Sequence, residues 1–383
     1  MRTGTTSIPD ARAETLVASY ERAGYARVAP AILQPAEPFL DLSGEDIRRR
    51  LYLTADPSGR EFCLRPDLTI PVVRDYLASA KAGQPAGFCY LGPVFRQPRR
   101  SERTHDGARE LLQAGIESFG RTDEAAADAE MLALGLAATA HYGVTRPAIR
   151  MGDAALFSAL VSALDLAPAW KRRLLKDFNR KSNLAHDLDA LVLAAAESKP
   201  EYRGVLAAIA GSDPKGAHAL VTDLLSIAGI TAVGGRTVGE IADRFLEQSS
   251  LAAGTTLPKT VRGLIERFLG IAGAPDAAAA ELRKLADDAG LALGPVLDLF
   301  EQRTRALAAR GIDVAQIRFS TAFGRGFDYY TGFMFELHDP AAPDDPFVAG
   351  GRYDGLLSRL GSPRSLPAVG FAVWIERLAG AVA

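Results

Sequence analysis

Arg109-Glu110-Leu111-Leu112-Gln113-Ala114-Gly115-Ile116-Glu117 is the stretch on which the fold turns. Successive side chains of a strand point to opposite faces. Leu112, Ala114 and Ile116 therefore share one face, and Gln113, Gly115 and Glu117 share the other. A small residue between an amide and a carboxylate makes a floor with room above it. That suits a small cationic or hydrogen-bonding ligand, although an ordinary solvent-facing strand carries the same pattern. Upstream, Gly87–Arg96 reads as a second strand. The loop from Gln97 to Gly107 carries Arg99, Arg100 and Arg103, which a solvated loop also accommodates.

Working outward, Leu64-Arg65-Pro66-Asp67-Leu68-Thr69 places a carboxylate and a hydroxyl where a strand meets a helix. Asp67 reads as an N-cap, with the helix running over Thr69–Ala80 and Pro71 in its first turn. Leu51–Thr54 and Glu61–Leu64 read as a hairpin. Ala11–Gly24 has helical spacing and a glycine stop, Tyr25–Leu33 is a strand broken by Pro30, and Asp123–Tyr142 is a long helix. From about Asp153 to Arg310 the chain is Ala/Leu-rich at helical spacing, with a short strand near Ile230–Val233. Strand signals return after Ile312, at Arg318–Phe323, Tyr330–Glu336, Phe347–Gly351 and Ala368–Val373, with helices at Tyr353–Leu360 and Ile375–Ala379. Strand-rich ends around a helical middle predict an α+β fold. One discontinuous domain is expected over residues 1–152 and 312–383, interrupted by a mostly helical inserted region over 153–311.

Composition narrows the class. Of 383 residues, 48% are hydrophobic and 23% charged, which excludes disordered and fibrous chains. Lys plus Arg is 44 against 46 for Asp plus Glu, so no global positive field exists to hold a nucleic-acid backbone. Cys63 and Cys89 lack CxxC spacing and read as reduced core thiols. His105, His141, His186, His218 and His338 show no metal-ligand spacing. No apolar run is long enough to span a membrane, and no apolar leader is present, so the expectation is a cytoplasmic protein without membrane or nucleic-acid partner.

Two more segments concentrate unusual residues. Gly324-Arg325-Gly326-Phe327-Asp328-Tyr329-Tyr330 sets a guanidinium fork between glycines, ready for a carboxylate or phosphate. Its adjacent tyrosines, placed in a strand, put one ring on each face. Gly350-Gly351-Arg352-Tyr353-Asp354-Gly355 reads as a turn presenting an aromatic and charges.

In this order the segments resemble class II aminoacyl-tRNA synthetases, in particular the histidyl-tRNA synthetase catalytic domain. Pro30 is similar to the motif 1 proline of the dimer interface. Leu64–Thr69 resembles the family's LRPEgT segment, with Asp67 for Glu, and Tyr90–Arg96 resembles motif 2. Gln113 and Glu117 match the histidine-contacting pair, Arg325–Tyr330 the RGLDYY signature, Ala349–Leu356 the AGGRYDGL segment and Pro367–Leu378 motif 3. The resemblance implies an antiparallel sheet flanked by helices. It also implies a histidine-binding set of Asp67, Thr69, Arg96, Gln113, Glu117, Arg325, Tyr329, Tyr330 and Tyr353. In that set Asp67, Thr69 and Gln113 would hold the α-ammonium and Arg325, with Arg96, the carboxylate. Glu117 and Tyr330 would read the imidazole, with Tyr329 and Tyr353 lining the pocket.

The departures carry as much. Trp374 stands where the synthetases have a glycine beside the ATP site, and glycine is used where another group approaches the backbone closely. An indole there fills space a nucleotide needs, unless it turns outward. Pro98 replaces a motif 2 Glu, and no anticodon-binding domain follows motif 3. An amino-acid side kept beside damaged ATP and tRNA sides resembles the family of ATP phosphoribosyltransferase regulatory subunits, which act in the first step of histidine biosynthesis. That resemblance implies a non-catalytic chain without cofactor or catalytic residues of its own. It implies a partnership with a short-form catalytic subunit, self-dimerisation through the motif 1 region, a hetero-octamer, and feedback inhibition by L-histidine. The alternatives are a truncated, active histidyl-tRNA synthetase and a module that senses uncharged tRNA.

Overall fold

Ala13, Leu16, Val17 and Tyr20 recur at helical spacing and are all buried, which makes Ala11–Arg22 an amphipathic helix (α1). Gly24, at φ +97°, turns the chain out of it, a conformation in which a β-carbon is strained. The structure, a computed structural model, describes residues 11–42, 45–97, 110–166, 168–178, 259–324, 329–341 and 345–381, with isolated positions between 179 and 258. Two compact units emerge, Met1–Ala159 with Phe268–Ala383, and Leu160–Arg267. Residues 268–311, read from sequence within the inserted region, cluster with the first unit.

The first unit continues with β1 (Ala26–Arg27), β2 (Leu33–Pro35), α2 (Glu37–Leu42), α3 (Glu45–Arg48), β3 (Tyr52–Ala55), β4 (Glu61–Leu64), α4 (Thr69–Leu77), β5 (Ala86–Phe95), β6 (Glu110–Phe119), α5 (Glu124–His141), β7 (Ala148–Asp153) and most of α6 (Ala154–Ala163). The second holds α7 (Pro168–Asp177), a ribbon of β8 (Ala232–Val233) and β9 (Arg236–Thr237), and most of α8 (Lys259–Leu269). The chain returns through β10 (Ala272–Gly273), α9 (Pro275–Ala289), α10 (Gly294–Ala309), β11 (Ile317–Ser320), β12 (Phe333–His338), β13 (Val348–Arg352), α11 (Leu356–Arg359), β14 (Ala368–Trp374) and α12 (Ile375–Gly380).

Among the described residues one nine-stranded sheet runs β1-β5-β6-β14-β13-β12-β7-β11-β10. Every pairing from β5 to β7 is antiparallel, and parallel pairs occur only where β1 meets β5 and β11 meets β7. The α+β class expected from the strand-rich ends and the antiparallel sheet implied by the synthetase resemblance are both present. Tyr20 of α1 packs edge-on against Phe371, and Gly135 of α5 lets Phe335 and Val348 come close, so these helices cover one face. The other face carries α4 and the small sheet β2-β4-β3, packed on Phe88, Tyr90, Phe119 and Tyr353.

The buried Arg65 sews this second layer together. It donates from Nε to the Pro93 carbonyl at 2.8 Å and from Nη1 to the Pro30 carbonyl. A β-carbon at Gly92 would overlap its guanidinium, so the glycine of the Leu91-Gly92-Pro93 run leaves it a path. Both cysteines are buried thiols; burial pushes Cys63 up to about 12 and Cys89 up to about 11.

Three local readings change. Tyr329 and Tyr330 precede β12 rather than starting it, so they do not alternate faces; their rings lie 4.9 Å apart in one cluster. Tyr353 lies outside α11, which begins only at Leu356, because its N–H is tied to the Ala368 carbonyl at 2.8 Å. β7, whose buried Ile149 and Met151 alternate with arginine and glycine, is a strand that the sequence reading did not assign, between the helix ending at Tyr142 and the region from Asp153.

Candidate functional site

The register of β5, β6, β14 and β13 builds the floor of the site. Tyr90 pairs with Gly115, and Glu117 pairs with Gly370, which in turn pairs with Gly351. These glycines are there for room. A β-carbon at Gly115 would overlap the Tyr90 hydroxyl, and one at Gly370 would overlap the Glu117 carboxylate. The space above Gly115 is thus taken by the Tyr90 phenol, which sequence reasoning missed; its only signal was an aromatic in cross-strand register with a glycine.

Glu117 is fully buried. Its Oε1 accepts from the Tyr90 hydroxyl at 3.1 Å and its Oε2 from the Tyr353 hydroxyl, and Thr69 donates to it as well. Burial raises its pKa to about 8, against the lowering effect of the Tyr353, Thr69 and Tyr90 hydrogen bonds, with nearby Asp67 adding to the rise. The carboxylate is therefore held in one orientation by three hydroxyl groups and titrates near neutrality.

Above it opens a concavity of about 350 Å³ including its mouth. Asp67, Thr69, Arg96, Gln113, Tyr329, Tyr330 and Tyr353 all line it. Glu117 lies just beneath, behind Gly370. Asp67 sits one residue before the capping position of α4, which Leu68 occupies, and its Oδ1 accepts from the Ile70 N–H at 3.4 Å. The Leu68 N–H goes to Gln113 Oε1 at 3.0 Å. That bond fixes the Gln113 amide and leaves its oxygen a second lone pair. The rings of Tyr329, Tyr330 and Tyr353 stand 4.9–6.4 Å apart along one wall. Arg325 and Pro98 lie outside the described residues, as do Arg99, Arg100 and Arg103.

The indole of Trp374 also belongs to the lining. Trp374 is 5% exposed, pairs with Gln113 in register and turns inward to line the concavity. The Arg96 guanidinium lies 4.5 Å from its ring centre and that of Arg377 5.2 Å. Arg96 also donates from Nε to the Pro66 carbonyl at 2.7 Å. Burial pulls its pKa down to about 10, opposed by Asp67 and assisted by the like charges of Arg50 and Arg377. Both arginines that flank the pocket's end are thus engaged on a side chain of the protein itself. Chemically the described lining combines a carboxylate, a hydroxyl, an amide, a guanidinium and three phenols with an indole. Among the described residues no cluster of His, Cys, Asp or Glu is arranged to hold a metal ion, and no helix is long and apolar enough to cross a membrane.

A family profile described as histidyl-tRNA synthetase matches residues 9–236 and 216–378. Proteins named ATP phosphoribosyltransferase regulatory subunit from Brucella canis and Brucella abortus are 42% identical over 352 residues, covering 91% of this chain and 90% of theirs. Among solved structures, a Bacillus halodurans protein titled an ATP phosphoribosyltransferase regulatory subunit/histidyl-tRNA synthetase superposes with TM-score 0.67 at 21% identity, over 97% of this chain and 78% of that one. A histidine–tRNA ligase subunit from Alicyclobacillus acidocaldarius gives TM-score 0.57 at 25% identity, covering 100% and 95%. By sequence the chain belongs to the ATP phosphoribosyltransferase regulatory subunits, a family of histidine biosynthesis, and its fold is that of the class II histidyl-tRNA synthetases.

Proposed function

We propose that this chain is a non-catalytic, cytoplasmic subunit that activates a short-form ATP phosphoribosyltransferase catalytic subunit and senses free L-histidine for feedback inhibition. One observation carries the reading: a polar concavity lined by Asp67, Thr69, Arg96, Gln113 and three tyrosines, with the buried Glu117 beneath it, has the Trp374 indole in its lining. Asp67, Thr69 and the free lone pair of Gln113 receive the α-ammonium. Arg325, with Arg96, faces the carboxylate, while Glu117 and Tyr330 read the imidazole nitrogens and Tyr329 and Tyr353 close the pocket. Charge-assisted hydrogen bonds contribute roughly 1.5–3 kcal/mol each. Several of them, less the cost of immobilising the ligand, give an affinity near the micromolar scale, about −8 kcal/mol. Histidine inhibits only by preferring one state of the complex, since equal affinity for both shifts nothing.

The exposed Ile32 and Leu33, 42% and 50% accessible at the outer strand β2 near Pro30, support self-dimerisation through this edge. Dimers joined to catalytic subunits would complete a hetero-octamer. Co-expression with a short-form catalytic subunit tests the proposal. It predicts co-purification, phosphoribosyl transfer by the complex, and loss of transfer on adding L-histidine; transfer indifferent to this chain contradicts it. The competing reading, an active synthetase, requires histidine-dependent ATP–pyrophosphate exchange by the purified chain, which the inward indole disfavours.

A further inference from the structure

Behind the pocket, on the α5 side of the sheet, lies a buried ion network that the functional reading does not use. Arg303 of α10, 1% exposed, donates from Nε to Asp128 Oδ2 at 2.8 Å and from Nη1 to Asp153 Oδ2 at 2.7 Å. The other oxygen of Asp128 receives Arg352, from Nε at 3.0 Å and from Nη2 at 2.6 Å. Arg352 reaches on from Nη1 to Asp354 Oδ1 at 3.0 Å, and that same oxygen accepts the Ala368 N–H at 2.7 Å. The two residues that flank Tyr353 are therefore both locked into one network, while Tyr353 itself points the other way and donates to Glu117.

Two arginines and three aspartates, mostly out of water, make a poor device for stability. The desolvation of buried ions consumes most of what their attraction supplies, and well-packed apolar replacements are often neutral or stabilising. What such a network does supply is direction: each guanidinium bonds only along its plane. Arg303 spans Asp128 and Asp153, so Asp128 is held from both sides and its remaining oxygen aims Arg352 toward Asp354.

We propose that Arg303 is a positioning residue for the pocket, setting the Arg352-Tyr353-Asp354 turn through Asp128 so that the Tyr353 phenol stays on Glu117. The inference rests on the histidine-sensing reading for its ligand. Its test compares the wild-type chain with the double variant Arg303→Met/Asp153→Asn. The methionine fills the arginine stem's volume over the Phe333 ring, 5.0 Å from the guanidinium it replaces. The change at 153 balances the charge and keeps an acceptor for the Ala155 N–H, bonded at 2.9 Å.

Expected is a melting temperature within a few degrees of wild type together with an L-histidine Kd at least ten-fold weaker by calorimetry. Arg303→Lys keeps the charge without the fork and falls between the two. An unchanged Kd in both variants overturns the proposal. If the double variant does not fold, Arg303→Lys alone decides, by the same criterion. If the wild-type chain itself binds no histidine, the function proposed above fails, and a ligand-free readout judges this inference. Loosening Tyr353 removes a donor from Glu117, so the pH at which the Glu117-dependent loss of stability levels off moves upward; an unmoved profile overturns it.

Discussion

Replacing Glu117 by glutamine probes the least ordinary group in the protein. The native carboxyl titrates near 8 because it is buried, against an ordinary value of 4.5 in the unfolded chain. A raised carboxyl pKa means that the folded state keeps a proton the unfolded state has already released. Stability from this group is therefore full below about pH 4.5 and is lost as pH rises toward 8, at about 1.4 kcal/mol per pH unit. Glutamine carries no proton to lose, is nearly the same size, and still accepts from Tyr353 or Tyr90. Between pH 5.5 and 7.5 the wild type should lose roughly 2–3 kcal/mol relative to Glu117→Gln through this one site. The measurement is urea unfolding across that range, read from Trp374 fluorescence in a Trp170→Phe background. All other titrating groups are common to the pair and cancel in the difference. Parallel profiles for the two proteins would show that Glu117 is ionised in the native state and refute the argument.

Other expectations follow from the same geometry. Trp374→Gly removes a buried indole and should lower stability by about 3–5 kcal/mol, with free indole at millimolar concentration restoring part of the melting temperature by entering the cavity. Gly370→Ala drives a methyl group into the Glu117 carboxylate and should cost about 1–3 kcal/mol in chemical denaturation while abolishing any histidine response of the complex. Leu33→Asp should convert a self-associated chain to monomer in sedimentation without lowering the melting temperature of the fold, since Leu33 is half exposed.

Much of the architecture was legible because strands and helices bury periodic faces. The alternation over Leu112–Glu117 placed Gln113 and Glu117 together, and the structure keeps them on one face with Ile116 on the other. The segments around Asp67, Arg96 and Tyr353 were likewise picked out by polar residues where apolar ones were due. What escaped was fixed by distance in sequence. Arg303 lies on the Leu297-Phe300-Leu307 stripe of α10, so spacing alone places it inward, but which carboxylates it meets there, Asp128 and Asp153, depends on chain segments 150 and more residues away. Tyr329 and Tyr330 were misplaced because aromatic pairs favour strands, yet the chain turns there before β12 begins. Tyr90 was invisible because its partner glycine lies on another strand, so its role depends on register.

The central claim is a histidine cradle without a working nucleotide site. Isothermal titration of the purified chain, first with L-histidine and then with magnesium–ATP, tests it most directly. A single histidine site of about micromolar Kd with no heat from ATP is the predicted result. Silence toward histidine, or tight binding of ATP against Trp374, contradicts the account.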